Sequence, residues 1–226
     1  MIKELTCICI SDTHGLHEDM PSLPYGDVLI HAGDCLSTGS ISSLESFARW
    51  FESQPHRHKI LVAGNHDKAI FQHPELVKKL LPTTHYLQDN GVVINGFRFW
   101  GSPWTPTFCN WFFMLDRGEP LKERWALIPE DTDILITHGP PQFTGDTVSM
   151  PTGAEYVGCE ELLERSRHLI LKTHVFGHIH EGYGQYYKQG CLLINACICT
   201  DNYEPTNKPI TFSIKCERTR ELQITP

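Results

Sequence analysis

Residues 174–180 read His174-Val175-Phe176-Gly177-His178-Ile179-His180, and they set the grammar for the whole chain. A short apolar run, Thr173 to Phe176, stops at a glycine and opens into two imidazoles one residue apart. The same sentence recurs four times upstream. Thr6 to Ile10 runs into Asp12-Thr13-His14, and Val28 to Ala32 runs into Gly33-Asp34. Lys59 to Ala63 runs into Gly64-Asn65-His66-Asp67, and Ile134 to Thr137 runs into His138-Gly139-Pro140-Pro141. Runs this short, rich in Val, Ile and Leu and bounded by Gly, read as buried strands. In an open α/β sheet, ligands gather beyond the carboxyl ends of strands. Five polar loops at five strand ends therefore predict one shared site.

Helical spacing lies between the strands. Leu44, Phe47, Ala48 and Phe51 repeat at i, i+3, i+4, i+7, with Ser42 or Ser43 as the expected N-cap. Pro74 to Leu81, Glu119 to Leu127 and Glu160 to Leu169 read as shorter helices. Asn95-Gly96 between Val92 and Phe99 predicts a type I′ hairpin, because that turn needs positive φ at both central residues. Tyr186 to Thr200 and Ile210 to Lys215 read mostly as strands. No linker-like stretch interrupts the chain, so residues 1–226 read as a single domain.

The polar residues at the strand ends share one chemistry. Asp12, His14, Asp34, Asn65, His138, His178 and His180 offer carboxylate, carboxamide and imidazole but no thiolate. That set suits a hard-to-borderline divalent ion such as Mn²⁺, Fe²⁺, Zn²⁺, Co²⁺ or Ni²⁺. Seven donors are too many for one tetrahedral ion. Two ions about 3.5–4 Å apart match the count. Asp34 is the best bridge, since a carboxylate offers two anionic oxygens. In extended chain, i and i+2 point the same way, so Asp12 with His14, and His178 with His180, are each expected to reach one locus. Gly177 lets the backbone approach closely.

Composition narrows the partners. Asp plus Glu number 27 against 19 Lys plus Arg, a net charge of −8, with no dense basic cluster to draw in duplex nucleic acid. A pair of divalent ions would supply the local positive charge that an anionic substrate needs. The longest apolar run, Trp111 to Leu115, falls far short of the roughly 20 residues that a membrane span requires. The opening residues do not read as a secretory leader. Nine cysteines without a C-x-x-C pair predict free thiols in a reducing, cytoplasmic setting. The pairs Cys7 with Cys9, and Cys197 with Cys199, are expected to share one side of a strand each.

Taken together, D-x-H, G-D, G-N-H-[D/E], H and G-H-x-H in this order resemble the calcineurin-like metallophosphoesterase superfamily. The stretches PYGDVLIHAGD, GSPW, DILITHGPP and HVFGHIHEGYG are similar to its metallophosphoesterase-domain-containing, fetal brain type members and their bacterial relatives. The resemblance implies an α/β fold, a four-layer α/β/β/α sandwich of two mixed sheets flanked by helices. It implies one metal held by Asp12, His14, Asp34 and His180, and a second by Asp34, Asn65, His138 and His178, with Mn²⁺ favoured. It further implies a binuclear phosphoesterase in which a metal-bridging hydroxide attacks a small phosphodiester or phosphomonoester, nucleotides and cyclic nucleotides included. His66 then protonates the leaving group or steadies the phosphoryl group. The Asp-Arg-Gly element of the superfamily's protein phosphatases is absent from Gly33–Gly39, which argues against phosphoprotein substrates. A metal-stabilised binding or scaffold protein with vestigial activity is the competing reading, and a one-metal structural site is a third.

The remaining features have plainer expectations. His56, His58 and His73 read as surface residues, and His31 and His174 as core or as neighbours of ligands. Cys35 is expected to point into the core. The aromatic stretch Trp100 to Phe113 reads first as core packing or a dimer contact, and second as a platform for a base.

Overall fold

The structure is a computed structural model that describes residues 3–37 and 39–216. In chain order its elements begin β1 (Lys3–Ile10), β2 (Val28–Ala32), α1 (Ile41–Ser53), β3 (His58–Val62), α2 (Lys68–Gln72), α3 (Pro74–Leu80) and β4 (Thr84–Tyr86). There follow β5 (Asn90–Ile94), β6 (Phe97–Ser102), β7 (Thr105–Pro106), β8 (Met114–Leu115), α4 (Glu119–Ala126) and β9 (Ile134–Thr137). The chain continues with β10 (Thr147–Met150), β11 (Gly153–Tyr156), α5 (Glu160–Arg167) and β12 (Thr173–Phe176). A 3₁₀ turn (His180–Gly182), β13 (Gly184–Lys188), β14 (Cys191–Asn195) and β15 (Ile210–Cys216) complete it.

Two mixed sheets carry the fold. The first has the order β15-β1-β2-β3-β4, and the second β13-β14-β12-β9-β6-β5. Strands β1 to β4 run parallel, with β15 antiparallel on the outer side of β1. The sheets face each other across Cys7, Cys9, Ile30, Val62, Phe99, Ile136, Val175 and Ile194. On the far side of the first sheet, Leu44, Phe47 and Phe51 of α1, Ile70 of α2 and Val77 of α3 pack on Ile8, Leu29 and Leu61. On the far side of the second, Leu121 and Trp125 of α4 and Leu162 of α5 pack on Leu135. The four layers are therefore helix, sheet, sheet, helix. Central strands buried on both faces explain why their sequences are nearly unbroken apolar runs.

Local corrections have local causes. The N-cap of α1 is Ser40, whose Oγ accepts from the Ser43 amide at 3.1 Å, so the helix begins before the expected Ser42 or Ser43. The Asn95-Gly96 hairpin forms as expected, with φ of 50° and 90° at the two turn residues and Ile94 opposite Phe97. Cys7 and Cys9 share the inner face of β1. Cys197 and Cys199 lie beyond the end of β14, where Ser11 bridges to Cys197. His56 is buried, its Nε2 3.0 Å from the Pro24 carbonyl, contrary to the surface expectation. No described helix is long and apolar enough to cross a membrane.

Candidate metal centre

The chain after β14 lies alongside the end of β1. The Ser11 amide donates to the Ala196 carbonyl at 2.9 Å, and the Ile198 amide to Ser11 at 2.9 Å. This splice sets the loop after β1, on the first sheet, against the loop after β12, on the second. The His178 amide donates to the Asp12 carboxylate at 2.9 and 3.1 Å. A Cβ on Gly177 would run into that carboxylate and Ser11, so the close approach needs glycine. The loops after β2, β3 and β9 complete the ring.

All eight singled-out residues meet there, but not by strand alternation. Asp12, His14, Asp34 and His178 have φ of 50°, 45°, 55° and 70°, the left-handed region. Sharp backbone turns, rather than extended i, i+2 spacing, aim the side chains inward. Non-glycine residues in this region cost of order 1–3 kcal/mol when strained, and such residues cluster at functional sites.

The donor atoms converge in three groups: Asp12, His14 and His180; His14, Asp34 and His66; Asp34, His138 and His178. Both carboxylates are buried. A carbonyl can only accept, so the proton assignments follow from the partners. His138 Nδ1–H donates to the Ala32 carbonyl at 3.0 Å, which turns Nε2 toward Asn65 Oδ1 at 3.0 Å and Asp34 Oδ2 at 3.3 Å. His180 Nδ1–H donates to the Thr200 carbonyl at 2.8 Å, and its Nε2 faces His14 Nε2 at 3.2 Å and an Asp12 oxygen at 3.6 Å. Imidazole nitrogens thus converge on two buried carboxylates. Positive charge, from protons on the imidazoles or from a bound cation, makes this arrangement favourable, and the donor set suits a divalent cation.

The protonation tendencies express the same field. Burial alone would lower the His138 pKa, but the Asp34 carboxylate outweighs it and carries it up to about 9. For His180, burial again works downward, and the Asp12 hydrogen bond raises it to about 8. For His178, burial and then the neighbouring His138 outweigh the pull of Asp34 and Asp12 and push it down to about 3. Burial would raise both carboxylates. His180 and His138 instead hold Asp12 well below the usual range, and His138 does the same for Asp34.

His66 stands at the edge of this cluster, half-buried. Its amide donates to Asp34 Oδ1 at 2.8 Å and its Nδ1–H to the Ser37 carbonyl at 3.1 Å. The ring stacks on Trp111, with centroids 4.2 Å apart and planes at 29°. The aromatic stretch therefore splits. Phe113 is buried in the core, whereas Trp111 and Phe108 are 43% and 56% exposed beside the site. With Tyr203 they line a cleft of about 460 Å³ over His14, His66 and His178.

Several residues that matter here had a weak signal or none. Asp67 is fully buried and accepts from the Gly64 amide at 2.8 Å and the Leu36 amide at 2.9 Å, tying two ligand loops together. Burial, then the Asp34 charge, pushes its pKa up to about 7. It closes the Gly64–Asp67 motif, but motif reading gave it no role. Cys197 donates its thiol to Asp12 Oδ2 at 3.1 Å, a contact created by the splice after β14. Cys35 is buried as expected, with its thiol 3.3 Å from Asp67. Tyr203 rests its ring against His14 and His180, at 4.9 and 5.1 Å, from a loop nothing in the sequence marks.

Residues 5–182 match the calcineurin-like phosphoesterase family, and the chain belongs to that family of metal-dependent hydrolases of phosphate esters. It is similar to human metallophosphoesterase domain-containing protein 1, with 43% identity over 93% of this chain and 71% of the human one. The mouse protein of the same name gives the same figures. Among solved structures, TT1561 of Thermus thermophilus shares the fold with a TM-score of 0.58 and 14% identity, covering 85% of this chain and 89% of its own.

Proposed function

We propose that the chain is a binuclear hydrolase of small phosphodiesters and phosphomonoesters, nucleotides among them. The observation that carries this reading is the position of Asp34, whose carboxylate belongs to one donor group with His14 and to another with His138 and His178. Two divalent ions, Mn²⁺ by preference, would be held by Asp12, His14, Asp34 and His180 and by Asp34, Asn65, His138 and His178. When bound, they acidify water and offset phosphoryl charge.

The chain's own side chains do the rest. His66, with Nδ1–H committed to Ser37, turns Nε2 to the site, and in the imidazolium form its Nε2–H gives the departing oxygen a proton and leaves the neutral ring. Trp111, Phe108 and Tyr203 line the cleft with apolar surface suited to a planar leaving group such as a nucleobase. Arg117, also in the lining, supplies a cation for a phosphate oxygen, although two of its N–H groups are held by the carbonyls of Val157 and Gly158. The free thiols of the described cysteines support a reducing, cytoplasmic setting.

The test is hydrolysis of bis(p-nitrophenyl) phosphate by the full chain with Mn²⁺, beside metal analysis. The reading expects two ions per chain and turnover that Asp34→Ala abolishes together with metal. One ion per chain, or activity that survives Asp34→Ala, would overturn it.

A further inference from the structure

A second cavity, about 670 Å³, opens on the outer face of the second sheet, and none of the eight residues of the metal centre lines it. It forms where the helical layer stops short. Helices α4 and α5 cover β9, but β12 and β14 extend past them, and Leu163, Leu169, Leu171 and Leu193 wall the gap. The volume lies within the roughly 300–1,000 Å³ of small-molecule sites.

Two polar groups in it are incompletely used. His174 of β12 is 1% exposed and contributes to the cavity lining. Its Nε2 lies 2.8 Å from Thr137 Oγ1, whose single proton is donated to the Gly139 carbonyl at 2.7 Å. Toward His174 the hydroxyl must therefore accept, so Nε2 carries the hydrogen and Nδ1 is a bare lone pair. That Nδ1 is buried and has no hydrogen-bond partner. Burial also keeps the ring neutral, with its pKa lowered to about 3. Lys188 of β13 gives two of its three N–H groups to the Phe143 carbonyl and Thr144 Oγ1, at 2.5 and 2.9 Å, and makes no ion pair among the described residues. Beside it Phe143, 52% exposed, sits at φ 65°, an outlying conformation for so bulky a residue.

We propose that this cavity is a second small-molecule site that takes an amphipathic organic acid. The apolar body lies against the leucines, a hydroxyl or N–H donates to His174 Nδ1, and the acid group meets Lys188. The site is independent of the catalytic reading. An unpartnered acceptor, an uncompensated cation and apolar walls select such a molecule over a sugar or a cation.

The probe is 6-hydroxy-2-naphthoate, titrated into the metal-loaded full chain by calorimetry. Saturable 1:1 binding is expected, about 5-fold weaker for 2-naphthoate, which lacks the donor, and similarly for 2-naphthol, which lacks the acid. Lys188→Ala, a surface change, should erase the advantage of the acid. Leu193→Trp should fill the cavity and abolish binding while diesterase turnover stays unchanged. Absent saturable binding, equal affinity for all three probes, or binding that survives Leu193→Trp would each overturn the proposal.

Discussion

His66 and Asp34 sit within hydrogen-bond reach of one another, yet their replacement should fail differently. Asp34→Ala removes a donor common to two groups, so metal content falls with turnover. His66→Ala leaves the carboxylates in place. It should lower turnover about 10²- to 10⁴-fold for alkyl esters, and far less for p-nitrophenyl esters whose leaving group needs no proton. Two bound ions by elemental analysis, beside that leaving-group dependence, would check it. Buried histidines also set an acid limit on stability. His174 has a folded pKa of about 3, below the ordinary 6.5 of an exposed imidazole. Between those values the unfolded chain binds the proton and the fold does not, so stability is full above pH 6.5 and declines as pH falls toward 3. The slope is at most about 1.4 kcal/mol per pH unit for one such group. Urea denaturation of His174→Gln between pH 6.5 and 4.5 should show a shallower acid loss than the parent chain. At this scale the donors were legible because each motif is local in sequence. Their geometry was not, since the positive φ of Asp12, His14, Asp34 and His178 is imposed by loops packed from both sheets.

The elements were legible in proportion to how much their own residues decide them. The 3.6-residue period of α1 and the Asn95-Gly96 turn carry their information within a few residues, and both formed. Strand β4 and the β10–β11 hairpin did not announce themselves. Thr84–Tyr86 is half-buried and held by its parallel pairing to β3, and Gly153–Tyr156 is exposed along its length, so neither shows an apolar period. Helix α1 makes the energetic prediction. Ser40→Ala should cost about 1 kcal/mol through loss of the cap to Ser43, whereas Phe47→Ala, fully buried under the first sheet, should cost about 3–5 kcal/mol. Chemical denaturation with an unchanged m-value would check both, and a larger effect from the serine would contradict this packing.

At the scale of the whole molecule, the centre joins loops from both sheets, with donors running from residue 12 to residue 180. Ions that bind the fold and not the unfolded chain stabilise by mass action, about 2.7 kcal/mol when the free ion is at 100 times its dissociation constant. Chelation should therefore lower Tm by several degrees, restored by Mn²⁺, in a differential scan of the same sample.

The pairing of β1 with β15 also has a consequence in time. Cys9 lies opposite Ile210, so on the ribosome β1 is made some two hundred residues before the neighbour that closes its outer side. At roughly 5–20 residues per second the delay is on the order of 10–40 seconds. Throughout it, one flank of a largely apolar ribbon stands open to any passing strand. A nascent chain arrested before residue 210 should accordingly need a chaperone to stay dispersed, and should sediment without one.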